Sequence, residues 1–549
     1  MTVGKTNAMR RTTIRSSHVA SLILWIMVTT PFTAASETFV FALRGNPPES
    51  LSPFDVYTTN ELVIEGEIME GLVKVDSKDP NGPPKPNIAA SVRKIDPTTY
   101  VFRLTPDVFF HPFPKHLHDR VTARDVEFSL RRAMNSQGRL AYRLNNIAEV
   151  EALGMDLVKI ELKEPDEDFL AVLATSIAHI TSEQYFSTLG SNDKTCNDRF
   201  RRAPLGTGPY RLRRPLTTGA KEIIVDRFEG YHDKKWIRSQ SSLSSATYRF
   251  YGDPHDILLG IAAKEVAMTT LPITEFGDGV DVRGTGAFPR VSPPFLPILA
   301  INASKGVLKN ARIRQLLNAA IDTRKIAGLC EWVVDDLPAG FRDYMEIPRQ
   351  YRERDGAKER QRLLADPMTR RRLDALRKTG PLVIVVSSRT DHFVDRLLES
   401  VRSDLWRNLG IEVVVNRQRI ISAAVIKKEH ADLIYREWTP DTAHEHDDLS
   451  MLKPLFSSQS KNNLGQYNDP DIDHLFDRLP GINDRASAAQ TYKDVQNRLI
   501  EGAPLIWLPI VRPWILFLGN GYTAPFTRQS AGASALLYYT SMLKDIRKQ

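Results

Sequence analysis

One unit limits the architecture of this 549-residue chain more than any other. Leu382-Val-Ile-Val-Val386 is an apolar run of strand length. After it, Phe393, Leu397, Val401, Leu405 and Leu409 recur every four residues, one stripe of a helix of roughly 18 residues. Gly410 ends that helix and Ile411-Glu-Val-Val-Val415 reads as a second strand. Strand, helix, strand requires a crossover, which places the two strands parallel with the helix on the sheet face. A related unit lies upstream. Ile298-Leu299-Ala300-Ile301 is a short strand, broken by Asn302 and a Ser-Lys-Gly turn. Asn310 is then in place to cap a helix whose Ile313, Leu316, Leu317, Ala320 and Ile321 fall on one apolar stripe. Arg312, Arg314 and Arg324 are expected mostly off that stripe. The chain is therefore α/β, and its length exceeds what one core usually holds, so two or three domains are expected.

The amino terminus carries an address. Basic residues up to Arg15 precede apolar Val19 to Val28, then Pro31 and small residues Thr33-Ala34-Ala35-Ser36. That is the layout of a secretory signal peptide cut after Ala35 or Ser36, and it implies a periplasmic destination. The Arg10-Arg11 pair is followed by Thr-Thr-Ile, a departure from the twin-arginine pattern. No cysteine stands near the cut to take a lipid anchor, and no later run is apolar for the ~18 residues a membrane span needs. Lys5, Arg10, Arg11 and Arg15 lie in this leader, so removing it takes the formal charge from +8 to +4. A mild excess without a basic block interleaved with aromatics gives no reason to expect a nucleic-acid partner. Cys196 and Cys330 are either paired or both free, since bridging depends on a separation that sequence does not supply.

Several distinctive strings occur in order along the chain. They are Leu51-Ser-Pro-Phe-Asp55, Ile68-Met-Glu-Gly-Leu-Val73, Val121-Thr-Ala-Arg-Asp-Val-Glu-Phe-Ser-Leu130, Pro204-Leu-Gly-Thr-Gly-Pro-Tyr210 and Ala311-Arg-Ile-Arg-Gln-Leu-Leu-Asn318. Each has a local explanation. Thr122 with Asp125 makes a capping box, and two glycines around Thr207 make a tight turn into a strand at Tyr210. That turn lacks the Lys-Ser/Thr and the helix of a phosphate loop. As a set, the strings resemble the bacterial extracellular solute-binding proteins of family 5, the peptide/nickel-binding group. Departures occur at Phe110-His111-Pro112-Phe113, where the family has F-H-D-G, and at Ala263 to Ala267. The resemblance implies the two-lobed periplasmic binding protein fold (type II-like, cluster C), α/β throughout, with a small extra α/β domain inserted in lobe 1. The expected division is 1–35 signal peptide; 36–80, 200–290 and 505–549 lobe 1; 81–199 inserted domain; 291–504 lobe 2.

The best candidate site follows the strand Ala431-Asp-Leu-Ile-Tyr435-Arg436-Glu437-Trp438, because open α/β sheets bind ligands beyond strand carboxyl ends. On the residues alone, Asp441 caps the loop after Pro440 and Trp438 is core. The resemblance implies instead that Trp438-x-x-Asp441 matches a motif whose aspartate holds a ligand's ammonium group. Arg436 and Glu437 are weaker ligand-binding candidates, since adjacent residues on a strand face opposite ways. His444-Glu-His446-Asp-Asp448 has the residue types of a nickel or zinc site but reads more simply as a solvated loop. Asp469, Asp471 and Asp473 lack the glycine and distal glutamate of a calcium loop. No metal and no cofactor are expected. Neither a G-x-S-x-G nor an H-E-x-x-H motif is present, so no enzyme is indicated. The resemblance implies a monomeric substrate-binding component of an ABC importer, taking a peptide or similar amine-bearing solute to membrane permease subunits. Nickel chelates, opines and oligosaccharides are alternative ligands of the same fold, and a sensor or holdase is an alternative role.

Overall fold

The computed structural model describes residues 38–55, 58–76, 83–113, 119–136, 138, 141–166, 169–272, 282, 284–287, 290–329, 346–350, 353, 355–387, 392–418, 421–438, 449–460, 462–479, 485–508, 512–524 and 543–549. Its strands are β1 (Phe39–Arg44), β2 (Ala89–Asp96), β3 (Thr99–Leu104), β4 (Ile147–Ala152), β5 (Leu157–Leu162), β6 (Tyr210–Leu212), β7 (Glu222–Arg227), β8 (Ser245–Tyr251), β9 (Met268–Pro272), β10 (Arg290–Ile301), β11 (Leu382–Ser387), β12 (Val413–Gln418), β13 (Leu433–Trp438) and β14 (Arg512–Gly519). Four helices matter most: α1 (Thr59–Ile68), α2 (Ala123–Met134), α3 (Ala311–Ala320) and α4 (His392–Leu409).

A long mixed sheet runs β12-β11-β13-β10-β14-β9-β1-β8-β7-β6. The strand–helix–strand unit forms as expected: β11 and β12 pair in parallel with Leu382 opposite Val413, and α4 between them has 18 residues. Alternation along β10 and β13 divides the second lobe's interior. Leu299, Ile301, Leu433 and Tyr435 enter a cluster with α3 and α4. Leu296, Ile298, Ala300, Ile434 and Trp438 enter a separate cluster with Phe456, Ile472 and Trp507. A sheet covered on both faces suits the near-continuous apolar runs of its parallel strands.

Sequence expectations fare unevenly around α3. Ile313, Leu316, Leu317, Ala320 and Ile321 are all buried as expected. Asn310 occupies the cap position but its side chain accepts no bond from the first turn, and its Oδ1 is buried without a partner among the described residues. Its backbone carbonyl, not its side chain, receives the amides of Ile313 and Arg314 at 3.1 and 3.3 Å. Arg314 is a second correction: it is buried, not displayed. Thr122 and Asp125 do form the capping box at the start of α2.

Strands β2-β3-β5-β4 make a separate antiparallel sheet that packs with α2. Its core is continuous with that of the first lobe. The junction is a buried polar knot. The Glu70 carboxylate accepts from Thr207 Oγ1 at 2.9 Å and Tyr231 OH at 2.8 Å, with His232 Nε2 at 3.3 Å. Burial alone would raise the Glu70 carboxyl, but His232, the Lys74 charge and the Tyr231 hydroxyl hold it well below the ordinary range. Gly208 N–H donates to Ile68 O at 2.8 Å, and His111 N–H to Gly206 O at 2.9 Å. The two glycines are required by proximity. A Cβ at 206 would sit 2.3 Å from Ile68 O, and one at 208 would sit 2.5 Å from Glu67 O. His111 Nε2 donates to Gly208 O at 2.9 Å, and burial pushes its imidazole down to about 4.

Gly208→Ala should therefore lower unfolding free energy by about 2–3 kcal/mol, since the added methyl meets backbone and not a flexible tip; a urea midpoint measures this. The pH dependence has a defined sign. The unfolded chain protonates His111 near 6.5, whereas the folded protein holds it neutral to about 4. Stability from this group is therefore complete above 6.5 and is lost as pH falls through that window, by about 3 kcal/mol in all. Glu65, whose carboxyl burial raises, acts in the opposite sense. The slope that disappears in His111→Gln isolates the imidazole.

Candidate ligand site at the lobe junction

Two segments carry the backbone between the lobes. β10 pairs with β14 at Arg290, Val291 and Phe295, then with β13 from Leu296 to Ile301. Antiparallel to it, Leu505–Ile506 lies against Leu299 and Ala300, and the chain continues to β14. The register directs the strand ends. β11 is parallel to β12 and β13, and β13 ends with Trp438 opposite Leu296, beside the crossing point. In the first lobe, β8 and β9 are parallel to β1, and β9 ends with Pro272 opposite Trp514. The carboxyl ends of the parallel strands of both halves thus point at one junction, the place where open α/β sheets bind ligands.

Arg436 and Trp438 are two apart on β13 and share a face. The Arg436 guanidinium lies 4.6 Å from the Trp438 ring centroid, a cation–π contact. Trp438 is 1% exposed and packs in the apolar cluster with Leu296 and Trp507. Its indole N–H has no partner among the described residues, which costs roughly 1–3 kcal/mol unless something else satisfies it. Asp441, the third candidate, falls in 439–448, outside the described residues, as do His444 and His446. Segments 273–281, 388–391 and 419–420, which follow β9, β11 and β12, are also outside them. No metal-binding group of His, Cys, Asp and Glu occurs among the described residues. Asp469 caps the helix Pro470–Arg478 and pairs with Arg498 at 2.8 Å. Cys196 is a buried free thiol, and Cys330 lies outside the described residues.

The profile of the bacterial extracellular solute-binding proteins, family 5 (middle) matches residues 83–463, so the chain belongs to that family. It is a solute-binding protein with the two-lobed fold. It is 26% identical over 522 residues to the glutathione-binding protein GsiB of Pectobacterium atrosepticum, covering 90% of this chain and 92% of that one. It is 24% identical over 531 residues to a dipeptide-binding protein of Pseudomonas aeruginosa, covering 90% and 92%. Its fold is similar to that of the periplasmic binding protein DppA of Helicobacter pylori, solved with the peptide STSA. The TM-score there is 0.75 at 20% identity, over 93% of this chain and 98% of that chain.

Trp438→Phe separates two roles of this indole. It keeps the ring in the core and removes an unpartnered donor, so stability should change by less than about 1.5 kcal/mol. A concurrent fall in ligand affinity, read by calorimetry, would place the N–H on the ligand; unchanged affinity would leave Trp438 as packing.

Proposed function

We propose that this protein is the periplasmic substrate-binding component of an ABC importer. It captures a peptide or a similar amine-bearing solute between its lobes and delivers it to membrane permease subunits, without turning it over. The observation that carries this reading is the convergence of parallel-strand carboxyl ends on a junction crossed by two antiparallel segments. The family, and the glutathione- and dipeptide-binding relatives, support the ligand class. In this reading 1–35 is the signal peptide and the mature chain acts as a monomer. Lobe 1 comprises 36–80, 200–290 and 505–549, the inserted domain 81–199 and lobe 2 291–504.

In this reading Asp441 faces the ligand's ammonium group, and Trp438 and Arg436 are the further ligand-binding residues. A carboxylate opposite an ammonium in a closed, water-poor cleft is a charge-assisted hydrogen bond far stronger than the same pair in water. Ligand shifts the open and closed populations by as much as its affinities for them differ.

Native mass spectrometry of the protein taken from its own periplasm would give the mass of the bound solute. With that solute, Asp441→Asn should weaken binding by ten- to a hundredfold, the worth of about 1.5–3 kcal/mol. An N-acetylated version should bind wild type and variant equally poorly. Equal affinity of both proteins for the free amine would remove Asp441 from the site.

A further inference from the structure

We propose that the second lobe carries another ligand site, a pocket for a small oxyanion with several acceptor oxygens, at the end of the sheet away from the lobe junction. A cavity of about 630 Å³ opens between the turn after β10, the helix Ala423–Lys428 and the segment 458–468. Among the described residues, its lining includes two cations, Lys309 and Arg314, and no acid. Uncharged donors and acceptors complete it, among them Ser304, Ser460, Gln466 and Asn468.

Arg314 carries the strongest argument. It is 5% exposed, yet no carboxylate pairs with it among the described residues. Nε donates to Gly502 O at 2.7 Å, and Nη1 donates to Leu308 O and Lys309 O at 2.8 and 2.9 Å. The guanidinium lies 5.6 Å from the Tyr467 ring. Gly502 ends the helix Arg485–Gly502, so a helix carboxyl terminus offsets part of the buried charge. Nη2 is left without a partner among the described residues. The carbonyls and the helix terminus satisfy Nε and Nη1 without cancelling the charge, so the guanidinium lines the cavity as a cation with no counter-charge among the described residues.

The surrounding acids are already engaged. Asp473 takes the amide of Ser458 at 3.0 Å and its hydroxyl at 2.5 Å. Asp469 takes the Tyr467 hydroxyl and Arg498, and Asp432 pairs with Lys305 at 2.7 Å. Lys309 is exposed and makes no ion pair among the described residues, so its ammonium can turn to a ligand. The site is separate from the junction. Ser304 follows β10 where Ile301 meets Leu433, whereas Trp438 meets Leu296, five strand steps and about 17 Å away.

The test is calorimetric titration of the full mature protein with inorganic phosphate and, in a second arm, citrate, with ionic strength held constant by chloride. Saturable binding of at least one probe is expected; the arm that binds separates a tetrahedral phosphate from a polycarboxylate. Lys309→Ala should weaken it about tenfold or more, the loss of one charge-assisted hydrogen bond. Because Lys309 is exposed, the variant's thermal unfolding without anion should match wild type. Asp441→Asn should leave this binding unchanged, which keeps the test independent of the junction reading. No saturable heat in either arm, equal affinity in Lys309→Ala, or loss of binding in Asp441→Asn would each overturn the proposal.

Discussion

The first lobe depends on keeping one carboxylate ionised out of water. Glu70 follows α1 at a point where the backbone must turn, and burial of its charge is tolerable only because Thr207, Tyr231 and His232 converge on it. Those three residues arrive from two later segments, so satisfying the charge fixes where the chain returns from the small β2-β3-β5-β4 sheet. The glycine turn at 206–208 can then press against the end of α1 with no side chain between. A polar requirement thereby specifies topology, while the apolar core around it supplies most of the stability.

The second constraint is shared geometry. β10 is a single strand with two sets of neighbours, β14 along its first half and β13 along its second. The long sheet is therefore a consequence of the connection, since the same backbone that links the lobes also closes the hydrogen-bond ladders at their margins. Parallel strands on each side aim their carboxyl ends at the crossing, which leaves the loops free to specialise without altering the frame.

Much of this frame was legible because it is periodic. The stripe at spacing four became α4, and Thr122 with Asp125 became a capping box. What escaped was nonlocal. Glu70 reads locally as the end of a helix; its partner Thr207 is 137 residues away. Arg314 reads as a surface arginine, but the carbonyl it holds belongs to Gly502, 188 residues on. Asn310 sits where a cap belongs, yet the Ile313 amide that a capping side chain would take bonds its backbone carbonyl instead. At the junction, Trp438 and Arg436 were placed on the strand that carries them, and the residues alone already had Trp438 in the core; its neighbours there, Leu296 and Trp507, come from distant segments that no local pattern names.

Between Val291 and Phe295, β10 slips by two residues against β14, and Pro293 and Pro294 lie inside that slip. Neither proline has an amide hydrogen to offer, so the ladder has fewer rungs to lose at that point. Torsion applied to the molecule would collect there and spare the intact ladders on either side, as a crease gathers the fold in a stiff sheet of card. The pleated surface can accordingly be long and unbroken in its pairing order and still be weak along one chosen line.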